Sequence, residues 1–468
     1  MFGRRRGSPL RQRFEEVHRH RPRSLLSPFV QHDVRAPTAV PPGELELLEP
    51  GPPAPFCAVL VEVAQVDPGA GLALGLAGDG VSLLARWTPA ERRVELEVTD
   101  ADGTTVLASA PAELPVPGRL AFVLNENQVT VLGAGVDGDW RPLLTERDAV
   151  RARLDLRDPA VLSTLRYARG ATGEGATRLS RVRAGTSGPA GVRDPQVVRR
   201  PDGSPLVRNG KLYLTMTSAG LGFFQQAHWG VWTLDLANPA DLVQVGALFS
   251  RRDGLVLGDH AGQVVHDEDT GQSIVLVSSW GDHDMRRGVH VRHVVTTADV
   301  LHGVHLLTTE RLELPTSASA WDPSLVRADG RWLLAFVECT AFEPRYTFHP
   351  ALAVADGPEY HRDLRLVGAD TSRAQTEGTL LHRFGRRWYV LASDGDAREH
   401  LVYDTDLRQV GTLDAEYGSN IPHPMVVETG SGRCAPRWLL TFDGSSWHED
   451  ALGYGTHGDF VVLRGAPA

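Results

Sequence analysis

Three acidic residues, Asp194, Asp322 and Glu377, each open a short apolar stretch and are the strongest candidates for chemistry in this sequence. Glycoside hydrolysis needs one carboxylic acid to protonate the leaving oxygen and a second carboxylate to activate water or attack the sugar. A third acid close by can raise the pKa of the first, because neighbouring carboxylates resist joint ionisation. Residues so distant in sequence can serve one sugar ring only if separate structural units bring them together.

Each of these acids begins a recurring unit of a polar residue, an apolar strand, a tight turn and a second apolar strand. In the clearest copy the turn is Asp329-Gly330, a strong hairpin signal between two apolar runs. The copies begin about 45 to 65 residues apart, a spacing that predicts the blades of a five-bladed β-propeller. The opening residues of the five copies are Asp194, Asp259, Asp322, Glu377 and His423.

Radial packing of five such hairpins predicts that their opening residues meet at one end of a central channel. Neighbouring residues then become candidates for substrate binding, namely Asp259, His260, Trp280 and Trp321. Simpler interpretations remain open, since an Asp before Pro commonly caps a turn and a lone His is often a core residue. The loops at 223–224 and 447–448 carry further aromatic residues that could form subsites.

The first part of the chain predicts a different architecture. Residues 1–43 are rich in Arg, His and Pro, which predicts a basic, mobile arm or one that docks on an acidic surface or a membrane. Residues 44–185 contain short alternating strands separated by turn dipeptides, which predicts a β-sandwich with one helix between 148 and 165. The strand order resembles concanavalin-like jelly rolls, which either bind sugars or only pack beside a catalytic domain. The propeller would then occupy 190–468.

The composition of the chain limits the classes of binding partner and the cellular location that we expect for this protein. A net charge of −10 argues against nucleic acid as the main partner. No run approaches the length of a membrane helix, and no apolar segment follows the basic cluster at residues 4–6, so we expect a cytoplasmic protein without a membrane partner. The three cysteines are scattered, which suggests neither a zinc knuckle nor a disulfide framework.

The acids in their repeated context resemble glycoside hydrolase family 43 and its five-bladed relatives, over about 190–468. The resemblance implies that Asp194 is the general base, that Asp322 modulates the pKa of the acid and that Glu377 is the general acid of an inverting enzyme. It also implies that His423 helps to bind a structural calcium ion at the propeller axis through waters. Glu338-Cys339 is similar to the acid dipeptide of fructan-cleaving relatives, but it ends a strand, and no acid role is assigned to it.

The sequence thus predicts an all-β protein and an inverting, cytoplasmic glycosidase of carbohydrate metabolism. Its expected substrate is a small glycoside or oligosaccharide of pentose or furanoside type. Two alternatives remain open: a non-catalytic propeller that binds a glycan or a partner, and a biosynthetic enzyme that uses the same acids for dehydration or cyclisation.

Overall fold

The structure, a computed structural model, describes residues 12–40, 42–284, 286–429, 436–444, 452–453 and 456–466. The basic cluster at 4–6 and the aromatic pair at 447–448 lie outside the described residues. The fold is nearly all-β, as predicted, and no helix in the described ranges is long and apolar enough to span a bilayer. Instead of the single helix expected between 148 and 165 there are two short ones, α1 (Asp148–Arg153) and α2 (Pro159–Thr164).

Thirteen strands precede residue 190 in the described part of the chain. They are β1 (Phe14–His20), β2 (Leu26–Val40), β3 (Leu45–Leu48), β4 (Phe56–Val66), β5 (Ala70–Gly78), β6 (Val81–Thr88), β7 (Arg93–Asp100), β8 (Gly103–Pro111), β9 (Gly118–Asn125), β10 (Gln128–Gly135), β11 (Arg141–Glu146), β12 (Arg166–Gly173) and β13 (Thr177–Ser187).

Twelve of these strands form two six-stranded antiparallel sheets. One sheet has the order β11-β10-β9-β4-β13-β2 and the other β3-β12-β5-β6-β7-β8. Alternate residues of both sheets are buried in one shared core, for example Val59 and Phe122 from the first and Leu74 and Leu96 from the second. The alternation of apolar and polar residues therefore produces two sheets packed face to face.

The remaining strands follow residue 190. They are β14 (Val192–Val197), β15 (Val207–Arg208), β16 (Lys211–Ser218), β17 (His228–Asp235), β18 (Leu242–Arg252), β19 (Leu255–Leu257), β20 (His260–Asp267), β21 (Gln272–Ser278), β22 (Val291–Thr296), β23 (Gly303–Thr308), β24 (Glu310–Arg311), β25 (Ser319–Ala328), β26 (Arg331–Ala341), β27 (Thr347–Ala355), β28 (Arg365–Ala369), β29 (Thr376–Phe384), β30 (Arg387–Asp394), β31 (Glu399–Tyr403), β32 (Gln409–Thr412), β33 (Met425–Glu428), β34 (Arg437–Gly444) and β35 (Gly458–Gly465).

Most of these strands form five antiparallel units. Unit 1 contains β14, β16, β17 and β18, and units 2 to 4 are β20-β21-β22-β24, β25-β26-β27-β28 and β29-β30-β31-β32. Unit 5 contains β33, β34 and β35. Units 1 and 5 belong to one eleven-stranded sheet, because β14 and β35 pair at Val192↔Gly458, and β18 also pairs in parallel with β23. Clusters of buried apolar residues lie between units 1 and 2, between 2 and 3, and between 3 and 4, and a further cluster joins units 4, 5 and 1. Every unit therefore buries both of its faces against a neighbour.

The first strands of the units face one another at the centre. The side chain of Gln196 in β14 donates to the carbonyl of Pro323 in β25 at 3.2 Å. Gln263 in β20 accepts from the backbone of Leu325 at 2.6 Å, and Ser324 accepts from the backbone of Leu381 in β29 at 3.0 Å. These buried bonds satisfy polar groups that could not reach water, and they fix the relative height of the first strands.

The prediction of a mobile arm is wrong for residues 12–40. Strand β1 pairs along β35 from Phe14↔Gly465 to His20↔Phe460 and completes unit 5, and β2 pairs with β13 at the edge of the sandwich. Most side chains of β1 are exposed or half-buried, so the strand lacks the apolar alternation that reveals a buried strand in sequence.

Candidate active site

The first strands of units 1 to 4 share one local distortion. In each, the pairing with the second strand shifts across two residues, and the first of these has a positive φ. The residues with positive φ are Asp194 (53°), Ala261 (54°), Asp322 (51°) and Gly378 (72°). A bulge of this kind bends the strand and re-aims its side chains, and Asp tolerates the left-handed region better than most residues. The repeat thus builds four equivalent bends around the centre.

The bend in unit 2 shows that the predicted alignment of this unit with the others was displaced by two residues. The residue equivalent to Asp194 and Asp322 is Ala261, so Asp259 lies two positions too early to face the centre. Its carboxylate instead accepts from Arg252 through Nε at 2.7 Å and Nη2 at 2.8 Å. It also accepts from the backbone of Gly281 at 3.0 Å. The predicted substrate contact of Asp259 is therefore wrong, and its role is to hold the turn that follows β21.

A cavity of about 410 Å³ opens at the end of the first strands where these bends lie. It brings together six of the predicted site residues, namely Asp194, His260, Trp280, Trp321, Asp322 and Glu377. Sequence analysis missed others that line it, including Arg193, Tyr346, Arg398 and Tyr417, whereas Phe224 also lines it. Phe224 belongs to the 223–224 pair that was considered for a subsite.

Asp194 is held as an ionised carboxylate. Its Oδ1 accepts from Arg193 Nε at 2.8 Å and its Oδ2 from Thr217 Oγ1 at 2.8 Å. Burial alone would raise the pKa of Asp194, but the charges of Arg193, His423 and His457 and the bond from Arg193 hold the pKa well below its usual range. The side chain therefore keeps its negative charge at neutral pH.

Arg193 links two of the three acids. Besides Asp194, it contacts Oε1 of Glu377 through Nη2 at 3.1 Å, and its guanidinium lies over the ring of Phe442 at 5.0 Å. Arg193 occupies the register position of Glu377 and Trp321, immediately before the bent residue or the glycine that replaces it. An alignment of the repeated units at this position would therefore have identified Arg193 as a candidate site residue.

The other two acids are shifted in the opposite direction. Burial raises the pKa of Glu377 to about 7; the charge of Asp194 acts in the same direction, and Arg193 opposes it. Burial also raises the pKa of Asp322 well above its usual range, with the charges of Glu377 and Asp194 adding to the effect. Oδ2 of Asp322 accepts from the backbone of Gly378 at 2.9 Å, so this acid also fixes the peptide beside Glu377.

His423 lies between the carboxylates, with Nε2 at 3.4 Å from both Asp194 Oδ1 and Asp322 Oδ2. Burial lowers its pKa to about 4, which leaves the imidazole neutral at neutral pH. In the described part of the chain no three His, Cys, Asp or Glu side chains form a group that could hold a metal ion directly. A calcium ion that His423 contacts through waters, as the resemblance implied, stays a prediction.

An aromatic wall closes one side of the cavity. The rings of Phe224 and Trp280 lie 5.0 Å apart, those of Trp280 and Trp321 5.4 Å, and those of Trp321 and Tyr346 5.7 Å, measured between centroids. The side chain of Gln225 donates to the carbonyl of His283 at 2.7 Å and ties together the two loops that carry Phe224 and Trp280. These rings make part of the cavity lining apolar.

The sandwich supports this wall through the turn between β9 and β10. Glu126 in that turn is completely buried, which is unusual for the tip of a hairpin. Its Oε2 accepts from Gln226 at 3.0 Å, and Gln226 in turn accepts from the backbone of Phe223 at 2.8 Å. Arg147 and Arg157 pair with the same carboxylate at 3.0 and 3.2 Å. The turn of the sandwich thus anchors the loop that brings Phe224 to the cavity.

No protein-family model and no curated protein matches the chain. Among solved structures, it is similar to Zg3597, a family 117 glycoside hydrolase of Zobellia galactanivorans, with 13% identity over 58% of this chain and 84% of that chain and a TM-score of 0.41. The chain is also similar to CoXyl43, a family 43 β-xylosidase/α-arabinofuranosidase from a compost metagenome, with 13% identity over 59% of this chain and 91% of that chain and a TM-score of 0.40. Levansucrase from Bacillus subtilis is 9% identical over 55% of this chain and 81% of that chain, with a TM-score of 0.41.

Proposed function

We propose that this protein is a glycoside hydrolase whose active site is the cavity at the centre of a five-bladed β-propeller. The observation that carries the proposal is a trio of buried carboxylates from three different units whose pKa values are pushed apart. Asp194 stays ionised, whereas Glu377 and Asp322 retain protons to higher pH. A charged base beside a protonated acid is the combination that glycoside hydrolysis requires.

The proposed roles follow from these charges and contacts. Glu377 protonates the glycosidic oxygen, since its pKa of about 7 keeps a large protonated fraction at neutral pH. Asp194 activates the attacking water, and inversion of configuration is carried over from the family 43 resemblance. Asp322 accepts from the backbone beside Glu377 and so helps to position the acid, and its role in modulating the pKa of the acid is carried over from the family 43 resemblance. No metal takes part in this scheme.

The cavity supports a small substrate. Its volume of about 410 Å³ lies near the lower end of typical ligand pockets, and aromatic faces line one side of it. We propose a pentose-type or furanosidic residue as the bound sugar. We also propose that the sandwich is a concanavalin-like jelly roll and that the protein acts in the cytoplasm.

The test is a screen of purified protein against aryl furanosides and aryl pyranosides. Glu377→Gln should lower the rate of aryl release by about 10² to 10⁴, because it removes the proton donor and preserves the shape of the side chain. The matched control is Glu338→Gln, since Glu338 pairs with His349 at 3.1 Å and does not line the cavity. Equal rates for wild type and Glu377→Gln would overturn the assignment.

One observation favours a second candidate, a propeller that binds a sugar without cleaving it. The guanidinium of Arg193 contacts both Asp194 and Glu377, so in this conformation a cation engages the two groups that should face water and the leaving oxygen. Calorimetric binding of a sugar without release of product, by the wild type and by Arg193→Met alike, would support this candidate. Turnover by the wild type would exclude it.

A further inference from the structure

A second cavity lies at the opposite end of the central strands. Strands β14 and β29 carry Asp194 and Glu377 near their beginnings, and the same two strands lead at their other ends to Arg199 and His382. Both of these residues line a cavity of about 480 Å³ that shares none of its lining residues with the active-site cavity. The proposed reaction uses nothing in this second cavity.

Arg199 is a buried cation without a carboxylate partner among the described residues. Only 3% of the residue is exposed. Its Nη1 donates to the carbonyl of Leu381 in unit 4, and its Nη2 lies 3.6 Å from the sulfur of Met425 in unit 5. Burial lowers the pKa of Arg199 to about 10, so the guanidinium remains charged at neutral pH. A buried, uncompensated charge destabilises the folded state.

The surroundings of Arg199 add positive charge. His382 is buried, and its Nε2 has no hydrogen-bond partner in the described structure. Its pKa lies well below the usual value, because of burial and then the charges of Arg199, Arg437 and Arg383. Three guanidinium groups therefore act on one neutral imidazole at this end of the channel.

The two acidic residues that line the cavity are engaged elsewhere. Asp202 accepts from the backbone and the hydroxyl of Ser204 at 2.9 and 2.6 Å. Glu428 pairs with Arg437 at 2.6 Å. Neither carboxylate forms an ion pair with Arg199, so the cavity combines a buried cation, an unsatisfied ring nitrogen and space for a counterion.

We propose that this second cavity is a binding site for a small inorganic anion, held by Arg199 and His382. Chloride and phosphate share the chemistry that would recognise it: negative charge that compensates the guanidinium, and acceptor capacity for its N–H groups and for a protonated ring nitrogen. The site ties unit 1 to units 4 and 5, so its occupation should stabilise the ring of units without taking part in the reaction at the other end.

The experiment measures the melting temperature of the full chain against chloride, and separately against inorganic phosphate, at constant ionic strength set with gluconate. Binding to the folded state alone stabilises it by mass action, so the wild type should show a saturable rise in melting temperature. Arg199→Met should abolish that rise. The control is Arg169→Met, which removes a buried arginine paired with Glu46 in the sandwich and should keep the response.

The two probes distinguish the kinds of anion. A response to chloride alone indicates a monovalent site, and a response to phosphate alone indicates an oxyanion site. If Arg199→Met does not fold, bromide soaked into wild-type crystals provides the second measurement, and anomalous signal beside Arg199 is the expected result. A flat melting curve with both anions in the wild type, an unchanged response in Arg199→Met, or bromide absent from the cavity of a wild type that responds to chloride would overturn the proposal.

Discussion

At the scale of single residues, the charge of Arg193 acts on both of the acids that it touches. It lowers the pKa of Asp194, and it limits the rise that burial imposes on Glu377. The result is a base that ionises early and an acid that keeps its proton until about pH 7. Arg193 acts on both acids, and they differ because its attraction, with that of His423 and His457, outweighs the effect of burial at Asp194 but not at Glu377.

The pH dependence of activity follows from these states. Glu377 must be protonated and Asp194 ionised, so kcat/KM for an aryl glycoside should be level from about pH 5 to 6 and fall as pH rises through about 7. Arg193→Met removes a charge that favours the ionised acid, and the falling limb should move to higher pH. A falling limb below pH 5, or one that moves to lower pH in the variant, would contradict the assignment of Glu377 as the acid.

At the scale of elements, the bend at the start of β29 requires a glycine. Gly378 has a φ of +72°, and a Cβ at this position would lie 2.5 Å from the ring of His423. Gly385, in the turn that follows the same strand, has a φ of +64° and open space around it. A substitution of Gly385 therefore tests backbone strain alone, whereas a substitution of Gly378 tests backbone strain together with crowding against His423.

Gly385→Ala should lower the free energy of unfolding by about 1 kcal/mol through backbone strain alone. Gly378→Ala should cost about 1 to 3 kcal/mol more, because His423 must move, and it should also reduce kcat by displacing Glu377. Chemical denaturation of both variants, with kinetics alongside, measures the difference. Equal stability and activity of the two variants would show that the bend does not position the acid.

The turn of the sandwich that anchors Phe224 is a second element with a testable role. Glu126→Gln weakens the bond to Gln226, and the loop should loosen at a cost of about 1 kcal/mol, or roughly fivefold in KM with little change in kcat. Hydrogen exchange of residues 219–227 should rise in parallel, which reports the loop independently of activity.

Glu46→Gln is the matched control for that experiment. It weakens the pairing of a buried arginine in the same sandwich but away from the cavity, and both readouts should stay unchanged. Slow exchange of the loop in Glu126→Gln would contradict the role given to this turn, whatever the activity shows.

At the scale of the whole molecule, β1 joins residues far apart in sequence. Arg19 and Arg21 pair with Asp459 of β35, at 3.4 Å for Arg19, and His20 contacts the carbonyl of Pro239 in unit 1 at 2.6 Å. The strand therefore covers the edge of β35 and reaches the neighbouring unit. An uncovered strand edge exposes unpaired backbone groups and favours association.

Removal of residues 1–21 should lower the melting temperature by about 5 to 10 °C and promote aggregation, because unit 5 loses its outer strand. Removal of residues 1–11 alone keeps β1 and should leave both properties unchanged. Calorimetry and light scattering on the two truncated proteins measure the effect. An unaltered melting temperature in the longer truncation would show that β1 is dispensable.

The sequence by itself determined the elements whose information is local. Hairpins such as the one around Asp329-Gly330 were predicted from apolar runs and turn residues. The repeated units also placed Asp194, Asp322 and Glu377 at the beginnings of strands, with Glu377 one register position before the other two. Short-range periodicity encodes these features, because side chains on a strand alternate between two faces.

Tertiary structure decided what depends on partners distant in sequence. Pairing with β35 made a strand of a segment whose side chains are mostly solvent-exposed, and a shift of two residues at the bend in β20 replaced Asp259 by Ala261. The position of Arg193 between two acids likewise depends on β29 lying opposite β14. Local periodicity does not predict such contacts. A bulge changes which side chain faces the centre, but it leaves the pattern of apolar and polar residues almost unaltered.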